Sequence, residues 1–148
     1  MKKIHIVNGP NISHLHLREP EYYKNISLVD IENALNEFII AKHFTNIDLA
    51  FFQSNSEGDI IRYLLDNLSN LDALIINPAA YSHYSLAISD TLAILKNQNK
   101  VIAEVHISNI FGREEDRKVS ITAKYADIII IGAGVEGYKL ALEYISER

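Results

Sequence analysis

The residues best suited to chemistry in this chain lie in three polar stretches. His106 ends an apolar run, and Glu104 stands two residues earlier on the same strand face. A carboxylate beside an imidazole orients the ring and sustains its charged form, a recurring acid–base device. Further on, Arg113 and Arg117 are four apart, so one helical turn stacks two guanidinium groups on one side. Such a pair suits a carboxylate or several hydroxyls. Residues 8–23 hold Asn11, Arg18, Tyr22, Tyr23 and two prolines, Pro10 and Pro20. A tyrosine ordinarily titrates near about 10, so it acts as a base only where a cation holds the phenolate. Arg18 is the nearby candidate, and the whole stretch reads as a lid that closes over a substrate and delivers a base.

Three other signals point to less. Gly132-Ala133-Gly134-Val135-Glu136-Gly137 spells G-x-G-x-x-G after a strand and before a helix. Too few residues follow it for the second strand and ribose-binding acid of a dinucleotide site, so it reads as a tight turn with close helix packing. His14 and His16 have no third ligand at zinc spacing, and metal is not expected. Ser82 and Ser85 flank His83 without a G-x-S-x-G elbow, so acyl transfer is not expected either.

Composition narrows the class. The chain has 148 residues, 48% of them hydrophobic, which fits one globular domain with a real core. Its 19 acidic residues against 14 basic give a net charge of −5, against a nucleic-acid or anionic-membrane partner. Cysteine is absent, which removes disulfides and thiolate chemistry. The start, Met1-Lys2-Lys3-Ile4-His5, is no signal peptide, no stretch reaches membrane-spanning length, and the cytoplasm is the expected address.

The elements that must position these groups alternate along the chain. Apolar runs at 4–7, 46–52, 73–76, 101–105 and 127–131 read as strands. Helical spacing marks 28–42, a segment carrying Ile60, Ile61, Leu64, Leu65 and Leu68, then 85–96 and 138–145. Ser27 followed by Asp30 is a capping-box variant. Alternating strands and helices imply an α/β doubly wound, five-stranded parallel sheet, order 2-1-3-4-5, with helices on both faces. Ligands of such sheets bind outside the strands' carboxyl ends, at the switch point between strands one and three. That rim gathers Asn8-Gly9-Pro10-Asn11, Asn77-Pro78 with His83, and His106-Ile107-Ser108-Asn109.

Together these segments resemble the type II 3-dehydroquinate dehydratases (type II dehydroquinases). The resemblance is carried by Asn8-Gly9-Pro10-Asn11, Arg18-Glu19-Pro20 with Tyr23, Gln53-Ser54-Asn55, and Asn77-Pro78 with Tyr81 and His83. Glu104-Val105-His106-Ile107-Ser108-Asn109, Arg113-Glu114-Glu115 with Arg117, and Gly137-Tyr138 continue it to the end of the chain. It implies a flavodoxin-like fold and trans elimination of water from 3-dehydroquinate to 3-dehydroshikimate through an enolate, without cofactor or metal. It also implies roles: Tyr23 with Arg18 as base, Asn11 holding a water against the enolate oxygen, and His106 with Glu104 as acid. Substrate contacts are implied at Asn77, His83, the amides of Ile107 and Ser108, and Arg117, with Arg113 adding positive field. Asp90 corresponds to a residue that reaches a neighbouring subunit's site, in a homododecamer built as a tetramer of trimers.

The chain departs from the family pattern at several positions. His16 and Lys24 stand where glycine is usual and place side chains where freer backbone angles are allowed. Ala79 replaces a frequent glycine, Phe111-Gly112 a His-Ala pair, and Ser89 a frequent arginine beside Asp90. A flavin- or nucleotide-binding module on the same fold is the alternative. It calls for a phosphate-cradling loop after strand one, and Pro10 there lacks an N–H.

Overall fold

Five strands form one parallel sheet in the order β2-β1-β3-β4-β5, and a computed structural model describes all of residues 1–148. The strands are β1 (Lys2–Asn8), β2 (Ile47–Gln53), β3 (Ala73–Asn77), β4 (Val101–His106) and β5 (Ile128–Ile131). Between and after them run α1 (Pro20–Tyr23), α2 (Leu28–Ala41), α3 (Glu57–Asp66), α4 (Leu86–Asn97) and α5 (Glu136–Ser146). The order and the parallel pairing agree with the sequence reading.

The period of two along β3 divides the interior into two cores. Ala73 and Ile75 face one side, with Ile31 and Leu35 of α2 and Ala141, Leu142 and Ile145 of α5. Leu74 and Ile76 face the other, with Ile60 and Leu64 of α3 and Ile88, Leu92 and Leu95 of α4. Each such leucine or isoleucine side chain taken fully out of water is worth about 1.5–3 kcal/mol. The starts of α2, α3 and α4 are fixed by hydroxyl caps. Ser27 and Asp30 form a reciprocal capping box on α2, Ser56 caps α3, and Ser85 caps α4.

Two features differ from the sequence reading. Residues 8–23 are not one open connection: a 3-10 segment, Ile12–Leu17, is followed by α1, with Pro20 at its first turn. β5 lies at the sheet edge, as the expected order requires, and Ile129 there is 45% exposed. The last helix begins two residues before Tyr138. The glycine motif ahead of it is a packing device. Gly132 and Gly134 take φ of 83° and 59°, and a Cβ on Gly137 would sit 3.1 Å from Val105 Cγ1.

Register places the polar ends together. Asn8 pairs with Asn77 across β1 and β3, and Ile76 with Glu104 across β3 and β4. Asn8, Asn77 and His106 therefore close their strands at one rim.

Candidate active site

A cleft opens at that rim, lined by polar and charged side chains together with apolar ones. It is walled by β3 and β4, by the segments that follow them, and by the lid over residues 12–23. Of the residues expected at the site, Arg18, Tyr23, Asn77, His83, His106, Ile107, Ser108, Arg113 and Arg117 line it.

Tyr23 is 5% exposed, held inward because α1 completes its single turn there. Arg113 Nη1 donates to its hydroxyl at 2.7 Å, while Arg18 stacks its guanidinium 4.7 Å from the ring centroid. The cation nearest the phenol oxygen is thus Arg113; Arg18, expected in that place, lies over the ring face. The reason is local geometry: α1 turns the hydroxyl away from its own segment and towards the connection after β4. Arg113 also lies 4.5 Å over the Tyr22 ring, and its buried Nε has no hydrogen-bond partner.

Across the cleft, His106 Nε2 is 2.7 Å from Glu104 Oε1, a residue with no exposed surface. Two hydroxyls that the sequence reading did not single out complete that carboxylate. Ser120 donates to Oε1 at 2.5 Å and Thr122 to Oε2 at 2.7 Å. The signal available for them was physical: a carboxylate inside an apolar strand needs donors, and Ser108, Ser120 and Thr122 are the hydroxyls that next follow it in the chain. The other ring nitrogen of His106, Nδ1, has no protein partner and stays open to the cleft. His83 Nδ1 donates to the Val119 carbonyl at 2.7 Å, which leaves Nε2 as its free nitrogen. The two imidazoles stack at 6.5 Å between centroids.

The amides of Ile107 and Ser108 donate to nothing within the chain, although both residues are nearly buried. They offer two N–H groups to a ligand oxygen. Asn77, 2% exposed, accepts from the Ala79 amide at 3.1 Å and donates to the Tyr138 hydroxyl at 3.0 Å. Arg117 Nε pairs with Glu114 Oε1 at 2.7 Å, and this bond is first among the causes that lower the Glu114 carboxyl from its ordinary value. Glu19 is lowered too, chiefly by its own backbone N–H and then by Arg18, Arg113 and Arg117. Three guanidiniums therefore give a positive cleft to a chain of net charge −5.

Three expected residues lie elsewhere. Glu104 sits behind His106. Asn11 is exposed at the rim in a left-handed conformation, φ 67°, with its backbone N–H on Asn55 Oδ1 at 2.9 Å. Asp90 is exposed on α4, away from this cleft. His14 and His16 stack at 6.0 Å, and no cluster of three metal-ligating side chains forms.

A doubly wound α/β domain with a phenol–guanidinium pair facing a carboxylate–imidazole pair defines an acid–base enzyme for a small anionic molecule. Residues 2–146 match the family Dehydroquinase class II, and the chain belongs to that family. Its relatives include a 3-dehydroquinate dehydratase of Clostridium botulinum, 46% identical over 98% of this chain and 95% of that one. One of Bacillus subtilis is 44% identical over 95% of this chain and 90% of its own length. The fold superposes on a type II dehydroquinase crystal structure from Butyrivibrio crossotus with a TM-score of 0.90 at 38% identity, covering 99% and 98% of the two chains. No helix is long and apolar enough to cross a membrane.

Proposed function

We infer that this chain dehydrates 3-dehydroquinate to 3-dehydroshikimate, a lyase reaction of the shikimate pathway towards aromatic amino acids. The observation that carries the reading is the pairing of Tyr23 with Arg113 opposite His106 with Glu104 across one positive cleft. Proton removal next to a ketone needs a base, a donor for the enolate oxygen and an acid for the departing hydroxyl. Tyr23, as a phenolate held by Arg113 with Arg18 over its ring, takes the C2 proton. Asn11 holds a water against the enolate oxygen, a role that asks the segment after β1 to turn that side chain inward. Nδ1 of His106, steadied through Nε2 by Glu104, protonates the leaving hydroxyl, and water departs. The proton on Tyr23 and the one lost by His106 are then rebalanced through solvent.

The substrate carboxylate and hydroxyls meet the amides of Ile107 and Ser108, Asn77, His83 and Arg117. Asp90 serves a neighbouring subunit in a homododecamer built from trimers. That assembly is supported by its exposure and by Tyr84, Leu86 and Val119, each at least 60% exposed beside it in sequence or next to His83. The cytoplasm is the proposed compartment, on the strength of the biosynthetic role. The flavin-binding alternative is not favoured by the family match or by Pro10 in the loop after β1.

The test mixes protein with dehydroquinate and follows the conjugated enone by ultraviolet absorbance. Turnover by the unaltered chain is expected, and Tyr23→Phe is expected to lower kcat by about 10²–10⁴-fold with the fold intact. Unchanged turnover in that variant would remove Tyr23 as base. Covalent trapping of substrate on a lysine by borohydride would overturn the mechanism.

A further inference from the structure

We propose that Tyr138 is a positioning residue that fixes the Asn77 amide so that it presents an N–H donor to the cleft. The inference rests on the dehydratase reading above. Tyr138 comes from the first turn of α5 and is fully buried beneath the ends of β1 and β3. Its hydroxyl donates to Asn8 Oδ1 at 2.5 Å and accepts from Asn77 Nδ2 at 3.0 Å. Asn77 Oδ1 accepts from the Ala79 backbone N–H at 3.1 Å.

The direction of this relay is set at both ends. A backbone N–H can only donate, so the Asn77 atom facing Ala79 is oxygen and the atom facing Tyr138 is nitrogen. A phenol has one hydrogen, and with Asn77 donating to its oxygen that hydrogen goes to Asn8. Were the Asn8 amide reversed, Tyr138 would face two donors with its own hydrogen unpaired. Burial raises the Tyr138 hydroxyl above its usual titration range, against the opposing pull of the Asn77 bond, so the hydrogen stays in place. The amide of Asn77 has two hydrogens; Tyr138 holds one, and the other is left for a ligand. The group met there must be an acceptor, such as a hydroxyl or carboxylate oxygen. Without Tyr138 only the Ala79 contact would hold the amide.

Tyr138→Phe tests this. The KM for dehydroquinate is expected to rise about three- to tenfold, the worth of one neutral hydrogen bond, with kcat within about twofold. In an Asn77→Ala background the same substitution is expected to add nothing to KM, because its effect runs through Asn77. A folded Tyr138→Phe protein with unmoved KM overturns the proposal, as do KM effects that simply add. A purely structural role would lower the melting temperature and leave KM alone. Should Tyr138→Phe not fold, NMR of the Asn77 side-chain amide in the unaltered protein is the test: its two hydrogens are expected to exchange with solvent at different rates, the one on Tyr138 the slower, and equal rates overturn the proposal. Absence of turnover in the unaltered protein would overturn the dehydratase reading and this inference with it.

Discussion

Ala79 takes φ 51°, a left-handed conformation that costs a residue with a Cβ about 1–2 kcal/mol. The position is held by its neighbours: its N–H is on Asn77 and its carbonyl accepts from Ser82 Oγ at 2.8 Å. Ala79→Gly is expected to raise stability by about 1 kcal/mol, read as a higher urea midpoint with an unchanged slope. Lys24, φ 47°, ends α1 in the same way, where glycine is the usual terminator. Thr122 works in the opposite sense, since Thr122→Val strips the only donor from Glu104 Oε2 in a fully buried setting. That change is expected to cost about 1.5–3 kcal/mol, while Thr122→Ser, which keeps the hydroxyl, costs less. Thermal melts of the two variants decide it; a Thr122→Val protein as stable as the unaltered one, with Thr122→Ser the weaker, would show that the methyl group, and not the donor, matters.

At the scale of elements, Asp127 joins three of them just before β5. Its carboxylate takes Lys96 Nζ of α4 at 2.7 Å and the Ile102 N–H of β4 at 2.8 Å. Burial works to raise this carboxyl, but the Lys96 bond, the Ile102 amide and nearby charge outweigh it, and the net shift is downwards. A depressed value contributes stability that is present above the ordinary carboxylate range and lost as pH falls through the folded value. Asp127→Asn is therefore expected to lower the melting temperature by about 2–4 °C at neutral pH, discounted for partial exposure. The gap should close as pH falls below about 4. A gap that persists in acid would assign the loss to packing. The strands and long helices were legible because their apolar periods are strong and mutually consistent. The 3-10 segments were not, since pieces as short as Ile110–Gly112 carry no period. Nor was the partner of Tyr23, because Arg113 lies 90 residues away and meets it only through the orientation of α1. Ser120 and Thr122 were hidden for the same reason, their task being set by a strand 16 and 18 residues earlier.

For the whole molecule, the cleft of one chain gathers Tyr23, His106 and three arginines, yet Asp90 stands outside it on an exposed face of α4. If Asp90 acts in a neighbour's site, each working centre is assembled from two chains. Residues from different subunits can then be supplied separately. Asp90→Ala and Tyr23→Phe proteins are each expected to turn over poorly when assembled alone. Dissociated, mixed and reassembled, they should regain activity, because some centres receive Tyr23 from one chain and Asp90 from the other. With equal amounts and random placement, about a quarter of the centres combine the two intact residues, so recovery should approach that fraction of normal turnover. Sedimentation of the same mixture reports whether the assembly has the mass of twelve chains. Recovery near zero in a fully reassembled mixture would place Asp90 in its own chain's function, and the exposed face of α4 would need another partner.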